Sequence, residues 1–186
     1  MSAAPPDDAF VATALLCIDV QPVFVRAITD GPRLLRRCEI AVAAAHGLGL
    51  RVVFSEQVPE KLGGTAPELL AAAPGAVAVG KTTFSALEEE KVRLALLPAE
   101  HLLLCGLETP ICVYQTAVEA LRSGLHVTVL SDAVGARRPD DAAACLAALR
   151  HAGAHVLPAE TVFYSVLRDV RHPFFKPYTQ LVKSHG

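Results

Sequence analysis

The side chain best placed for covalent chemistry in this 186-residue chain is the thiol of Cys112. It lies in the run Cys105-Gly106-Leu107-Glu108-Thr109-Pro110-Ile111-Cys112-Val113, where an apolar stretch gives way to a helical pattern. Thr109 fits a helix N-cap and Pro110 the first helical position, which puts Cys112 in the first turn. Free N–H groups and the positive end of the helix dipole favour a thiolate there. The competing reading is a small buried hydrophobe, and it is the reading that suits Cys17, Cys38, Cys105 and Cys145. A thiolate nucleophile needs a cation to lower its pKa and a carboxylate to carry its proton. Asp19 closes one apolar run and Lys81 follows another. Alone, the acid suits a turn or cap equally well, and a lysine after a strand is usually just solvated. Together with Cys112, they are the three groups that adjacent strand ends would bring to one pocket.

The elements that must position them are legible as runs. Residues 13–19, 51–55, 76–79, 101–105 and 125–130 are apolar and strand-like, with a weaker run at 154–157. Helical patterns cover 32–48, 87–97, 110–123 and 139–152, closing on Gly47 and Gly49, Pro98, Gly124 and Gly153. Segment 57–75 carries Pro59, Gly63, Gly64, Pro67, Pro74 and Gly75, so it reads as loop with a short helix at 66–72. Residues 173–184 read as a last short helix, residues 1–10 as a loose arm, and 11–186 as a single domain. The alternation predicts an α/β fold: a three-layer, doubly wound, mostly parallel sheet of about six strands. Ligands bind such sheets beyond the carboxyl ends of the strands, where Asp19, Lys81 and Cys112 fall.

Composition narrows the function. With 52% hydrophobic and 19% charged residues, the chain reads as globular. A net charge of −2 without a basic stripe argues against nucleic acid. Five cysteines with no CxxC pair argue against a disulfide framework or structural zinc, and for a reducing, cytoplasmic compartment. The opening residues lack the basic and apolar regions of a signal peptide, and no run is long enough to span a membrane. Gly75–Thr82 satisfies GxxxxGK[ST], but its middle residues are strand-like and a helical segment ending in Pro74 precedes it, so nucleotide binding is not expected. No GxGxxG follows the first run and no GxSxG occurs.

The segments Leu16-Cys17-Ile18-Asp19-Val20-Gln21-Pro22, Lys81-Thr82-Thr83-Phe84-Ser85, Gly106-Leu107-Glu108-Thr109-Pro110-Ile111-Cys112-Val113-Tyr114-Gln115-Thr116-Ala117 and Ser131-Asp132-Ala133 occur in this order. In order and spacing they resemble the isochorismatase-like hydrolase superfamily of cysteine hydrolases, from about residue 12 to 180. The nearest likeness is to the isochorismatase domain-containing proteins of unsettled substrate, through Ser55-Glu56-Gln57-Val58-Pro59, Leu62-Gly63-Gly64-Thr65 and the segment His172–Lys176. The resemblance implies a strand order 3-2-1-4-5-6 and a catalytic triad of Cys112, Asp19 and Lys81. It also implies a cis Leu107–Glu108 peptide, an oxyanion hole from the N–H groups of Glu108 and Cys112, and a homo-oligomer.

Departures from the superfamily narrow the chemistry further. Nicotinamidases in it bind a metal through Asp-x-His and further histidines after the second strand. This chain has Glu56-Gln57-Val58 there and no histidine from 47 to 100, so no metal and no other cofactor is expected. True isochorismatases lack the cysteine and cleave a vinyl ether. Cys112 points instead to a C–N bond, amide- or carbamoyl-like, in a small molecule. A vinyl-ether hydrolase and a catalytically silent scaffold remain the rival readings. Gln21, Phe24, Glu56, Gln57, Phe84 and Thr109 are candidate substrate contacts, as are Thr83 and Ser85. Core packing suits Phe84 better, and a polar loop suits Glu56 and Gln57 equally. Asp132 and Arg137 are candidates to bridge subunits or to stabilise a loop.

Overall fold

Six apolar runs form one sheet in the computed structural model, which describes residues 12–185. The arm expected over residues 1–10 lies outside them. The strands are β1 (Thr13–Ile18), β2 (Arg51–Gln57), β3 (Val77–Lys81), β4 (His101–Leu107), β5 (His126–Gly135) and β6 (His155–Leu157). Every pairing is parallel and the order is β3-β2-β1-β4-β5-β6. β1 is buried along its whole length, as expected of a central strand covered on both faces.

The helices are α1 (Pro22–Val25), α2 (Gly31–Gly47), α3 (Pro59–Leu62), α4 (Pro67–Ala72), α5 (Glu90–Leu96), α6 (Tyr114–Arg122), α7 (Pro139–His151), α8 (Ala159–Leu167) and α9 (Phe175–His185). Alternate residues of β1 face opposite layers. Leu15 and Cys17 pack with Ala41 of α2, Leu69 of α4, Phe163 of α8 and Tyr178 of α9. Ala14, Leu16 and Ile18 pack with Val92 of α5, Ala117 of α6 and Leu149 of α7. These are the three layers. Among the described residues, no helix is long and apolar enough to cross a membrane.

Strand order reverses at β1, which lies between β2 and β4. A crevice forms beyond the carboxyl ends at such a point. The close approach there requires Gly106 of β4: it has φ +117°, and a Cβ on it would sit 2.1 Å from the Ile18 carbonyl oxygen.

The structure corrects several boundaries. β2 and β3 run two residues further than their apolar cores, so Glu56, Gln57 and Lys81 end strands rather than follow them. β5 continues to Gly135, which puts Ser131-Asp132-Ala133 inside a strand. Its pairing with β4 shifts register between Leu104 and Gly106, and the polar residues of its second half hid the extension. Segment 57–75 holds two short helices, α3 and α4, each opened by a proline whose fixed φ suits the first helical position. α1 and α8 were not foreseen.

Candidate active site

β1 delivers the carboxylate. Asp19 follows Ile18 with φ +52°, and its N–H donates to the Ser55 carbonyl oxygen of β2 at 3.0 Å. The Ser55 hydroxyl donates to Asp19 Oδ1 at 2.7 Å. β3 delivers the ammonium. Lys81 is buried rather than solvated, with Nζ 2.8 Å from Asp19 Oδ2. Nζ also donates to the Gln57 side-chain oxygen, to the Thr83 carbonyl at 3.0 Å and to Cys112 Sγ at 3.7 Å. The loop after β3 is pinned to α6. Ser85 Oγ bonds the Glu119 carboxylate, and the Ala86 N–H donates to Thr116 Oγ1 at 2.9 Å.

β4 delivers the thiol. A π-helical turn, Thr109–Val113, follows the cis Leu107–Glu108 peptide and runs into α6. Its defining bond runs from the Val113 N–H to the Glu108 carbonyl at 3.2 Å. Thr109 is not the N-cap. Glu108 occupies the cap position, and the Thr109 hydroxyl is buried with no hydrogen-bond partner among the described residues. Cys112 does fall in the first turn, 7% exposed. Its thiol is pushed up to about 12, by burial first and then by the Asp19 charge, while Lys81 pulls the other way. Burial beside a carboxylate thus works against the thiolate that the helix start favours, and it raises the thiol toward its protonated form. The dipole of one short turn does not offset burial beside a carboxylate.

A cavity of about 340 Å³ opens over Cys112, lined by Val23, Phe24, Ala27, Phe84, Leu107 and Ile111, with Asp19, Gln57, Glu108 and Arg137 as its polar groups. A larger cavity, about 580 Å³, lies at the other end of the sheet between Leu48, Arg51, Pro98 and Arg168, and contains none of these groups.

Phe24, Gln57 and Phe84 line the site cavity. Phe84 is 57% exposed at its rim, so core packing does not describe it. Gln21, Glu56 and Thr109 are not among its walls. The buried Gln21 amide is spent bracing backbone: it donates to the Gln57 carbonyl at 3.0 Å and accepts the Gln57 N–H at 2.7 Å. Glu56 Oε1 accepts from Thr65 N and Oγ1 at 2.7 and 2.8 Å, which ties down the connection between α3 and α4. Arg137 pairs with Glu108 at the cavity mouth, Nε to Oε1 at 2.8 Å. Asp132 accepts from Arg37 of α2 and from the Ala159 N–H of α8, so it joins elements within the subunit. Cys17, Cys38 and Cys105 are buried, whereas Cys145 is partly exposed on α7. Among the described residues, no group of three or more His, Cys, Asp or Glu side chains is arranged to hold a metal.

Sequence reasoning missed Ser55, Val23, Ala27, Ile111, Thr116 and Glu119. Ser55 had a usable signal: it pairs in register with Ile18, next to Asp19, once β2 is set beside β1.

Residues 13–161 match the isochorismatase domain model. The mouse isochorismatase domain-containing protein 2A is 34% identical over 175 residues, covering 92% of this chain and 83% of that protein. Among solved structures, the MAR1 ribonuclease from Caenorhabditis elegans superposes with a TM-score of 0.89 at 28% identity, covering 94% of this chain and 91% of that one. The YcaC gene product from Escherichia coli, an octameric hydrolase of unknown specificity, superposes at 0.83 with 21% identity, covering 100% and 98%. With the sheet order, the domain match and a relative of this identity along nearly its whole length, the chain belongs to the isochorismatase-like hydrolase family.

Proposed function

We propose that this chain is a cysteine hydrolase that cleaves a C–N bond, amide- or carbamoyl-like, of a small molecule through a Cys112 thioester. The observation that carries the reading is the cluster of Cys112 Sγ, Lys81 Nζ and Asp19, gathered from three strand ends under one cavity. The substrate carbonyl carbon sits over Sγ. Asp19 takes the thiol proton as the C–S bond forms, and the carbonyl oxygen gains charge against the N–H groups of Glu108 and Cys112. Asp19 then gives that proton to the nitrogen, the C–N bond breaks and the amine leaves. Water attacks the thioester as Asp19 takes one of its protons; the acid departs and the sulfur recovers a proton. Lys81, 2.8 Å from Oδ2, keeps the carboxylate aimed between these transfers.

A thiol under an accessible cavity favours this reading over vinyl-ether cleavage, which needs proton delivery alone, and over a silent scaffold. The C. elegans relative is called a ribonuclease, but the one exposed cation lining this cavity, Arg137, is paired with Glu108, which favours a small molecule over RNA. In this reading the protein works in a reducing compartment as a homo-oligomer, for which the octameric YcaC product is the precedent.

The test is a screen of small amides, ureides and carbamoyl compounds for amine or ammonia release. Cys112→Ala should lower kcat/KM by about 10³-fold or more on any hit. A Cys112→Ala protein of near-normal activity overturns the mechanism.

A further inference from the structure

We infer that the cavity selects an uncharged substrate with a compact apolar acyl group and rejects one that carries a carboxylate. The inference rests on Cys112 as the nucleophile but asks a separate question of the same site.

The charged residues lining the cavity, Asp19, Glu108 and Arg137, are all paired, Asp19 with the Lys81 buried behind it and Glu108 with Arg137. Lys81 Nζ lies 2.8 Å from Asp19 Oδ2, and it also donates to the Gln57 side-chain oxygen and the Thr83 carbonyl, with the Phe84 carbonyl at 3.5 Å and Cys112 Sγ at 3.7 Å. That ammonium is buried and saturated. Arg137 bonds Glu108 twice, Nε to Oε1 at 2.8 Å and N–H to Oε2 at 3.2 Å. Among the described residues, an incoming carboxylate would therefore find no uncommitted cation lining the cavity, and it would face the Asp19 and Glu108 carboxylates. A charge buried without a partner, beside like charges, is strongly disfavoured. A neutral amide meets no such penalty.

The remaining walls are apolar and come from separate elements: Val23 and Phe24 of α1, Ala27 just after it, Phe84 of the loop after β3, Leu107 of β4 and Ile111 of the π turn. Each methylene that fills such a space favours binding about fourfold. The volume, about 340 Å³, is about twice that of an apolar cavity that takes benzene, so it has room for an acyl group of about six to eight carbons around the reacting carbonyl.

Two measurements on the wild-type chain test this. The first compares kcat/KM for butyramide, valeramide and hexanamide with that for succinamate and glutaramate. The neutral series should rise about fourfold per methylene until the cavity is full, and the carboxylates should lie at least about tenfold below their neutral partners. The second needs no turnover: the rate of Cys112 alkylation by iodoacetamide relative to iodoacetate, each divided by the rate on the neutral thiol β-mercaptoethanol. That ratio should exceed one by about tenfold or more. Glu108→Gln leaves the Arg137 charge unpaired and should shrink it by a similar factor. A ratio near one, or a preference for iodoacetate, overturns charge selection even if amides are hydrolysed. A high ratio with no amide turned over leaves charge selection standing and counts against amide hydrolysis alone.

Discussion

Replacing Asp19 with asparagine should move two properties of Cys112 in opposite directions. The thiol sits up to about 12 because it is buried beside a carboxylate, and Lys81, 3.7 Å away, only partly opposes this. Two opposite unit charges at that separation attract by about 4–5 kcal/mol at an effective dielectric of about 20, or about three pKa units. The Lys81 lowering is already contained in the value of about 12, so the change comes from losing the carboxylate's repulsion, a unit charge in contact range whose effect is of the same order, and the thiol should fall toward about 9. At pH 8 the thiolate fraction would rise from about 10⁻⁴ to about 10⁻¹. A less basic thiolate is also a weaker nucleophile, with a sensitivity of about one half, so the net gain in alkylation is about thirtyfold. Iodoacetamide labelling followed by peptide mass spectrometry reads this at pH 6–10, with Cys145 as an internal reference. Hydrolysis should go the other way, losing about 10³-fold or more, because the group that carries the proton has been removed. Slower labelling of Cys112 in Asp19→Asn would refute the claim that this carboxylate holds the thiol neutral. Hydrolysis that survives the substitution would refute its role as proton carrier.

Two further predictions concern the scaffold. Asp132→Ala removes the acceptor for Arg37 and for the Ala159 N–H at 2.8 Å, which together tie α2 and α8 to β5. It should lower stability by about 2 kcal/mol, read as a lower urea midpoint at unchanged slope. An unchanged midpoint would mean that these bonds are replaced by water at no cost. His101 lies 2.9 Å from Thr128 Oγ1, with the His126 ring 6.2 Å away, and its pKa is lowered by burial first and then by His126 and His155. The unfolded chain takes up that proton near 6.5 and the folded one resists it, so the unfolded state binds more protons as pH falls. Stability should therefore be lost as pH drops through about 6.5, and level off below the folded pKa. His101→Gln should flatten that loss between pH 7 and 5, and an unaltered acid slope would contradict the assignment.

The sheet was readable because its strands are buried on both faces, and continuous apolar runs such as 13–19 and 101–105 stand out from the chain. The extensions were not. Gln57 and Lys81 are polar, and they lie in strands because they pair with each other across β2 and β3, a nonlocal cause that no local pattern records. The same limit shaped the site. Asp19, Lys81 and Cys112 share a position at strand ends, and the order of the strands turns that into contact. Gln21, just after β1, and Glu56, near the end of β2, lie close to these groups in sequence and have the right chemistry to touch substrate. They are not among the cavity walls, and their side chains instead satisfy backbone groups at Gln57 and Thr65. Which buried polar group a side chain must satisfy is decided only when the loop closes.

The raised thiol pKa bears on when the nucleophile is made. A permanently ionised Cys112 would take Lys81 as its partner and leave Asp19 without its counterion. In the structure Lys81 belongs to Asp19, at 2.8 Å, and is further from the sulfur, at 3.7 Å. The ion pair is thus formed before any substrate arrives, and burial beside it favours keeping the proton on the sulfur. In the proposed mechanism that proton moves only as the C–S bond forms, when the growing charge on the carbonyl oxygen can be met by N–H groups. The carboxylate that receives it is the one placed to return it to the leaving nitrogen. A protected thiol and a single proton carrier are then consequences of one arrangement. Such an arrangement spares the sulfur from oxidation between turnovers, because a thiol reacts far more slowly than a thiolate.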